Sequence, residues 1–150
     1  MKLGHFIVGL AMSLSAHAFA HDEGHGPKLS DAGKYGGLVS PVIDMKEAAK
    51  GTHAAVVYKA ELVRTADGKV RLYLYDQQMA PIDTKSAVTS VKGFLEVKVK
   101  GKYKQEPFSL TLDGKSFVGI TPKSTSKPFN IDFHIKEAGR ELLTAFDNLD

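Results

Sequence analysis

From residue 52 onward, apolar and polar side chains alternate with a period of two, the pattern of strands that bury one face. In THAAVVYKAELVR, Ala54, Val56, Tyr58, Ala60 and Leu62 point one way, while His53, Lys59 and Glu61 point the other. Asp67-Gly68 turns the chain, and KVRLYLYD returns with Val70, Leu72 and Leu74 inward. GFLEVKVKGK repeats the pattern through Leu95, Val97 and Val99 before a turn at Gly101-Lys102. EPFSLTL places Phe108, Leu110 and Leu112 on one face, Asp113-Gly114 turns again, and KSFVGI answers. The cleanest alternation is PFNIDFHIK, with Phe129, Ile131, Phe133 and Ile135 inside and Asn130, Asp132, His134 and Lys136 outside. RELLTAFD reads as a last strand or a helical turn. Ahead of these strands, order begins near Gly36-Gly37-Leu38-Val39, and Asp44 is placed to cap a short turn from Met45 to Lys50 that Gly51 ends.

About seven short strands spaced by Asp-Gly and Gly-Lys turns predict an all-β fold, an antiparallel immunoglobulin-like β-sandwich. The chain lacks the helical stretches that parallel strands require as crossovers. With neither tryptophan nor cysteine, it would share the architecture of an immunoglobulin domain without its hallmark core.

The first 35 residues follow another pattern. Met1-Lys2, an apolar run from Phe6 to Met12 and small residues at Ala16, Ala18 and Ala20 have the order of a secretory signal peptide. The run is too short to span a bilayer. The expected organisation is a leader over 1–20, a flexible histidine-containing arm over 21–35 and a β-domain over 36–150. Such a protein is periplasmic, with full secretion as second choice, and has no membrane insertion. Cleavage after Ala20 exposes His21 as the first residue; cleavage after Ala18 leaves it third. Net charge over the whole sequence is +3, and loss of Lys2 with the leader brings it nearer balance, which argues against nucleic acid as a partner. The one basic cluster, Lys98 to Lys104, straddles a turn and reads as a solvated hairpin tip.

No cysteine nucleophile, Gly-x-Ser-x-Gly elbow or phosphate-binding Gly-x-x-x-x-Gly-Lys loop occurs, so the chain reads as a binding or structural module rather than an enzyme. The histidines carry the candidate chemistry. His21 and His25 flank Asp22 and Glu23, and imidazole and amine nitrogens suit copper or another divalent transition metal. His53, His134 or Met79 would complete such a site, the thioether suiting Cu(I).

The stretch YKAELVRTADGKVRLYLYDQQMAPIDTKSA resembles a short β-rich periplasmic module of heavy-metal efflux systems. The residues that carry the likeness are Gly36-Gly37, Glu61-Leu62-Val63, Asp67-Gly68, Tyr73-Leu74-Tyr75-Asp76 and Pro81-Ile82, within residues 21–122. It implies a role in handling a transition-metal ion beside the periplasmic subunits of an efflux system. Those modules commonly carry histidines near the Gly-Gly and the Tyr-Asp turn, where this chain has Tyr35 and Gln77. His21 also resembles the mature N-terminal histidine of periplasmic copper carriers and copper-dependent oxygenases; Asp132-Phe133-His134-Ile135 departs from the carriers' Asp-x-His-Pro. The competing expectation is a structural or protein-interaction module without metal.

Overall fold

The computed structural model describes residues 26–124 and 126–150. The strands are β1 (Leu38–Asp44), β2 (Val56–Arg64), β3 (Lys69–Tyr75), β4 (Val88–Val99), β5 (Lys102–Asp113), β6 (Ser116–Ile120), β7 (Phe129–Glu137) and β8 (Arg140–Leu149). A 3-10 helix, Met45–His53, links β1 to β2, with the Asp44 side chain accepting from Lys46 N. A single α-turn, α1 (Thr84–Ala87), precedes β4.

These strands close into one antiparallel barrel in the order β1-β2-β3-β6-β5-β4-β7-β8. This overturns the immunoglobulin-like sandwich. Alternation of apolar and polar residues shows that each strand has an inner face, but a sheet packed on a second sheet and a sheet curled onto itself need the same alternation. Tertiary pairing decides between them. RELLTAFD is a full strand rather than a helical turn, and it pairs back to the first strand through Ile43↔Leu143 and Asp44↔Leu142. Each strand therefore has a neighbour on both sides, which a sandwich does not provide.

The β1–β8 seam is short. Beyond Ile43 the two strands no longer pair as a ladder, and the Ser40 hydroxyl donates to the Ala145 carbonyl at 2.7 Å across the gap. Pro41, which has no N–H to contribute, occupies β1 where this pairing has ended.

An eight-stranded barrel is narrow enough for side chains to fill it, and here they do. Val42, Leu62, Leu72, Ile131, Phe133 and Leu142 belong to one continuous buried cluster. Phe133 is its centre, meeting Phe108 and Phe146 edge-on at centroid distances of 6.1 and 6.0 Å. Outward positions carry Lys59, Lys92, Lys98 and Lys136, the inverse of a membrane barrel, whose outer wall is apolar. Among the described residues no helix is long and apolar enough to cross a membrane.

Gly93 shows how tightly the interior is filled. It lies opposite Phe108 on β5, and a methyl group built on its Cα would run into the Phe108 ring. Gly93→Ala is expected to destabilise the barrel by about 1–3 kcal/mol through overpacking. Urea denaturation measures this, and Phe108→Leu in the same chain should recover part of the loss.

Candidate functional site

His21 and His25 lie outside the described residues. His53 is exposed and closes the 3-10 helix. His134 is half-buried on the outer face of β7, its ring 4.6 Å from that of Phe94, between Lys92 on β4 and Leu143 on β8. Burial pushes the His134 imidazole below its ordinary pKa; Lys92 lowers it further, while Glu141 and Glu96 pull the other way. The ring is therefore neutral at neutral pH, the form that coordinates metals. Met79 sits with a positive φ in the β3–β4 connection, a loop braced by the Asp76 side chain, which accepts from Gln78 N and Ala80 N at 2.9 and 2.8 Å. Among the described residues no group of three or more His, Asp or Glu is arranged to hold a metal ion.

The barrel nevertheless relates these positions. Ile43 pairs with Val56 on β2 and with Leu143 on β8, and Leu143 pairs with His134. With strands about 4.8 Å apart, His134 stands roughly 10 Å along the wall from Ile43. His53 lies three residues before Val56. Gly26 packs on this same rung: a Cβ there would come within 2.9 Å of Ile43 Cγ2 and 3.0 Å of Pro41 Cγ. The chain that follows His25 thus begins against the wall that carries His134.

What fixes this N-terminal segment is a latch built on Glu61. Its side chain emerges on the outer face of β2, between inward Ala60 and Leu62, yet it is 0% exposed. One carboxylate oxygen accepts from Tyr35 N at 2.8 Å and Gly37 N at 2.9 Å; the other accepts from Lys34 N at 2.9 Å and the Tyr75 hydroxyl at 2.8 Å. Gly36, at φ 75°, takes the left-handed conformation that turns successive N–H groups toward one anion. Burial pushes the Glu61 carboxyl up, but hydrogen bonds from Gly37, Tyr75, Tyr35 and Lys34 outweigh it and hold the group below its ordinary value. The Tyr75 hydroxyl is raised by burial and then by Glu61, so it remains a donor. Tyr35 stacks on Tyr73 at 4.2 Å, Lys34 Nζ stands 5.5 Å from the Tyr75 ring centroid, and Lys59 reaches both oxygens of Asp31 at 2.8 Å.

Gly36-Gly37, Glu61, Tyr73 and Tyr75 therefore meet at one place, although they are scattered over forty residues of sequence. Their observed work is mechanical: they strap residues 31–37 to β2 and β3. The alternating pattern marked Glu61 as a solvent-facing residue and gave no sign that backbone N–H groups would cover it.

A second buried acid escaped the sequence pattern. Asp132 is on the outer face of β7 but only 8% exposed, and its Oδ1 has no hydrogen-bond partner among the described residues. Burial, then the charges of Glu96 and Asp147, push its carboxyl up to about 8. At neutral pH Asp132 is mainly protonated, which suits it poorly as a ligand for a hard cation.

No family model, curated protein or solved structure matches the chain.

Proposed function

We propose that the protein is an exported, periplasmic accessory binder of a copper-like transition-metal ion, with a role in metal efflux or homeostasis. The reading is carried by one observation: Gly26 is packed on Ile43, on the rung that leads through Leu143 to His134. His21 and His25 supply nitrogen ligands from the arm, and His134 or His53 supplies a further one from the barrel. Anchoring lowers the conformational entropy that a free arm would lose on closing around a metal. A neutral His134 needs no deprotonation, whereas the arm's imidazoles and any free amine must lose protons, so affinity rises with pH through the histidine range.

The test is Cu(II) titration of the processed protein, followed by native mass spectrometry and by the d–d absorption of bound copper. One retained copper is expected per chain. His134→Ala and His21→Ala are each expected to weaken binding at least tenfold, of the order found when groups supporting a metal site are removed. A processed protein with the same mass with and without micromolar copper would leave a non-metal interaction module as the better account. Loss of affinity on His21→Ala but not on His134→Ala would move the site onto the arm and His53.

A further inference from the structure

At the end of the barrel opposite His53, the β4–β5 hairpin runs past the wall as a two-stranded ribbon. Val97 is the last β4 residue paired with β7; beyond it β4 and β5 pair only with each other, through Lys98↔Tyr103 and Val99↔Lys102, and every residue from Lys98 to Lys104 is exposed. Lys98, Lys100, Lys102 and Lys104 lie on this ribbon, with no acid between Val97 and Gln105. Lys127, from the β6–β7 connection, adds to them: with Lys98, Gly101, Tyr103 and Phe129, and with one acid, Glu96, at its base, it lines a cleft of about 530 Å³. Arg64 and Lys123 line a neighbouring recess at the same rim. Asp67 and Asp150 line that recess too, which leaves the ribbon tip itself uniformly cationic.

Two apolar groups stand among these cations. Val99 is 43% exposed and Tyr103 48%. Strand register puts Val99 beside Lys102 on one face of the ribbon and Tyr103 beside Lys98 on the other, with Lys98 Nζ 5.7 Å from the Tyr103 ring centroid. Each face of the tip thus combines a cation with a group that prefers a less polar medium.

We infer that this ribbon docks the barrel end-on onto an anionic phospholipid surface. Four lysines on flexible stems act as separate point charges, suited to a mobile array of headgroups; a fixed carboxylate or phosphate contact favours the planar fork of arginine, and the ribbon has none. Tyrosine is at home at a bilayer interface, its ring among the acyl–glycerol region and its hydroxyl in water, and lysine stems can lie along apolar surface while their ammonium groups stay hydrated. A protruding tip is also the part of a barrel that reaches a flat surface first. This role goes beyond metal binding and does not depend on it; end-on docking would leave the side wall that carries Ile43 and His134 uncovered.

Co-sedimentation of the purified protein tests the inference, using vesicles of phosphatidylcholine alone and of phosphatidylcholine with an equal part of phosphatidylglycerol. Binding is expected only to the anionic vesicles, weakening as salt shortens the Debye length. Each lysine near such a surface is worth about fivefold in partitioning, so K100A/K102A should bind roughly 25-fold more weakly. Tyr103→Ser should remove the part of binding that survives high salt. The control pair K85A/K115A removes the same charge from exposed positions at the other end and should bind like wild type. Equal binding to neutral vesicles, wild-type binding by K100A/K102A, or an equal loss in the control pair would each overturn the inference. So would binding to a soluble polyanion such as duplex DNA with none to vesicles.

Discussion

Glu61→Ala is expected to destabilise the protein by about 3–5 kcal/mol, because it strands several buried donors that a single carboxylate now satisfies. The N–H groups of Lys34, Tyr35 and Gly37 and the hydroxyl of Tyr75 all point at its two oxygens, and a methyl group can accept from none of them. Urea denaturation gives the size of the loss. Limited proteolysis should show residues 26–37 becoming cleavable before the barrel unfolds, since the strap then rests on the Tyr35–Tyr73 stack and the Asp31–Lys59 pair. Glu61→Gln keeps the shape and should cost less, about 1–2 kcal/mol. It should also alter the acid limb. With its folded pKa held below the ordinary value, Glu61 contributes stability that is present above the unfolded-state pKa and is lost as pH falls through the folded one. In Glu61→Gln that part of the acid loss should vanish. An alanine variant within experimental error of wild type would show that the strap does not depend on the carboxylate.

Asp132→Asn is expected to act in the opposite direction and to stabilise the protein increasingly as pH rises from about 4 toward 8. Asp132 is raised to about 8 by burial and by the nearby charges of Glu96 and Asp147. The folded state therefore holds a proton that the unfolded chain releases near pH 4. Stability contributed by that proton is complete below the unfolded pKa and is lost as pH rises toward 8, at up to about 1.4 kcal/mol per pH unit. Asparagine has no charge to bury and removes the repulsion. The difference in unfolding free energy between variant and wild type should grow across this window to about 3–5 kcal/mol near pH 8. Denaturation at a series of pH values measures it. A constant difference from pH 4 to pH 8 would mean that Asp132 does not carry the proton. The two carboxyls thus act on opposite limbs: Glu61 lowers stability as pH falls through its folded pKa, and Asp132 lowers it as pH rises toward 8.

The two acids also show why part of this molecule could be read from its sequence and part could not. Each occupies a polar slot in a clean alternation, Glu61 between Ala60 and Leu62 and Asp132 between Ile131 and Phe133, and each does lie on the outer face. Burial there comes from other parts of the chain. Residues 34–37 cover Glu61, and those residues reach it only because β1 doubles back along β2. A period-two pattern reports which side of a strand faces the core and carries no information on what folds over its other side.

The candidate histidine site has the same division. His53 and His134 were recognisable as possible ligands from residue type alone. Their relation to each other, and to the chain leaving the arm, depends on the Val56–Ile43–Leu143–His134 rung, whose middle link, Ile43–Leu143, exists only because the barrel closes. The lysine ribbon was visible as a basic hairpin tip; its turn, expected at Gly101-Lys102, falls one residue earlier, at Lys100-Gly101. That it projects beyond the wall, with Val99 and Tyr103 exposed on opposite faces, follows from the length of β4 and β5 relative to their neighbours.

By itself, the sequence determined the all-β class, the inward residues of most strands, the Asp-Gly turns and the short helical turn after Asp44. These are local consequences of side-chain period and turn chemistry, acting over a few residues. Only the tertiary structure decided that eight strands form a closed barrel in place of a seven-stranded sandwich. It alone decided, too, that Gly36-Gly37, Glu61, Tyr73 and Tyr75 make a strap. Both outcomes turn on pairings between distant segments, β1 with β8 and residues 34–37 with Glu61, which alternation within a strand leaves equally compatible with either architecture.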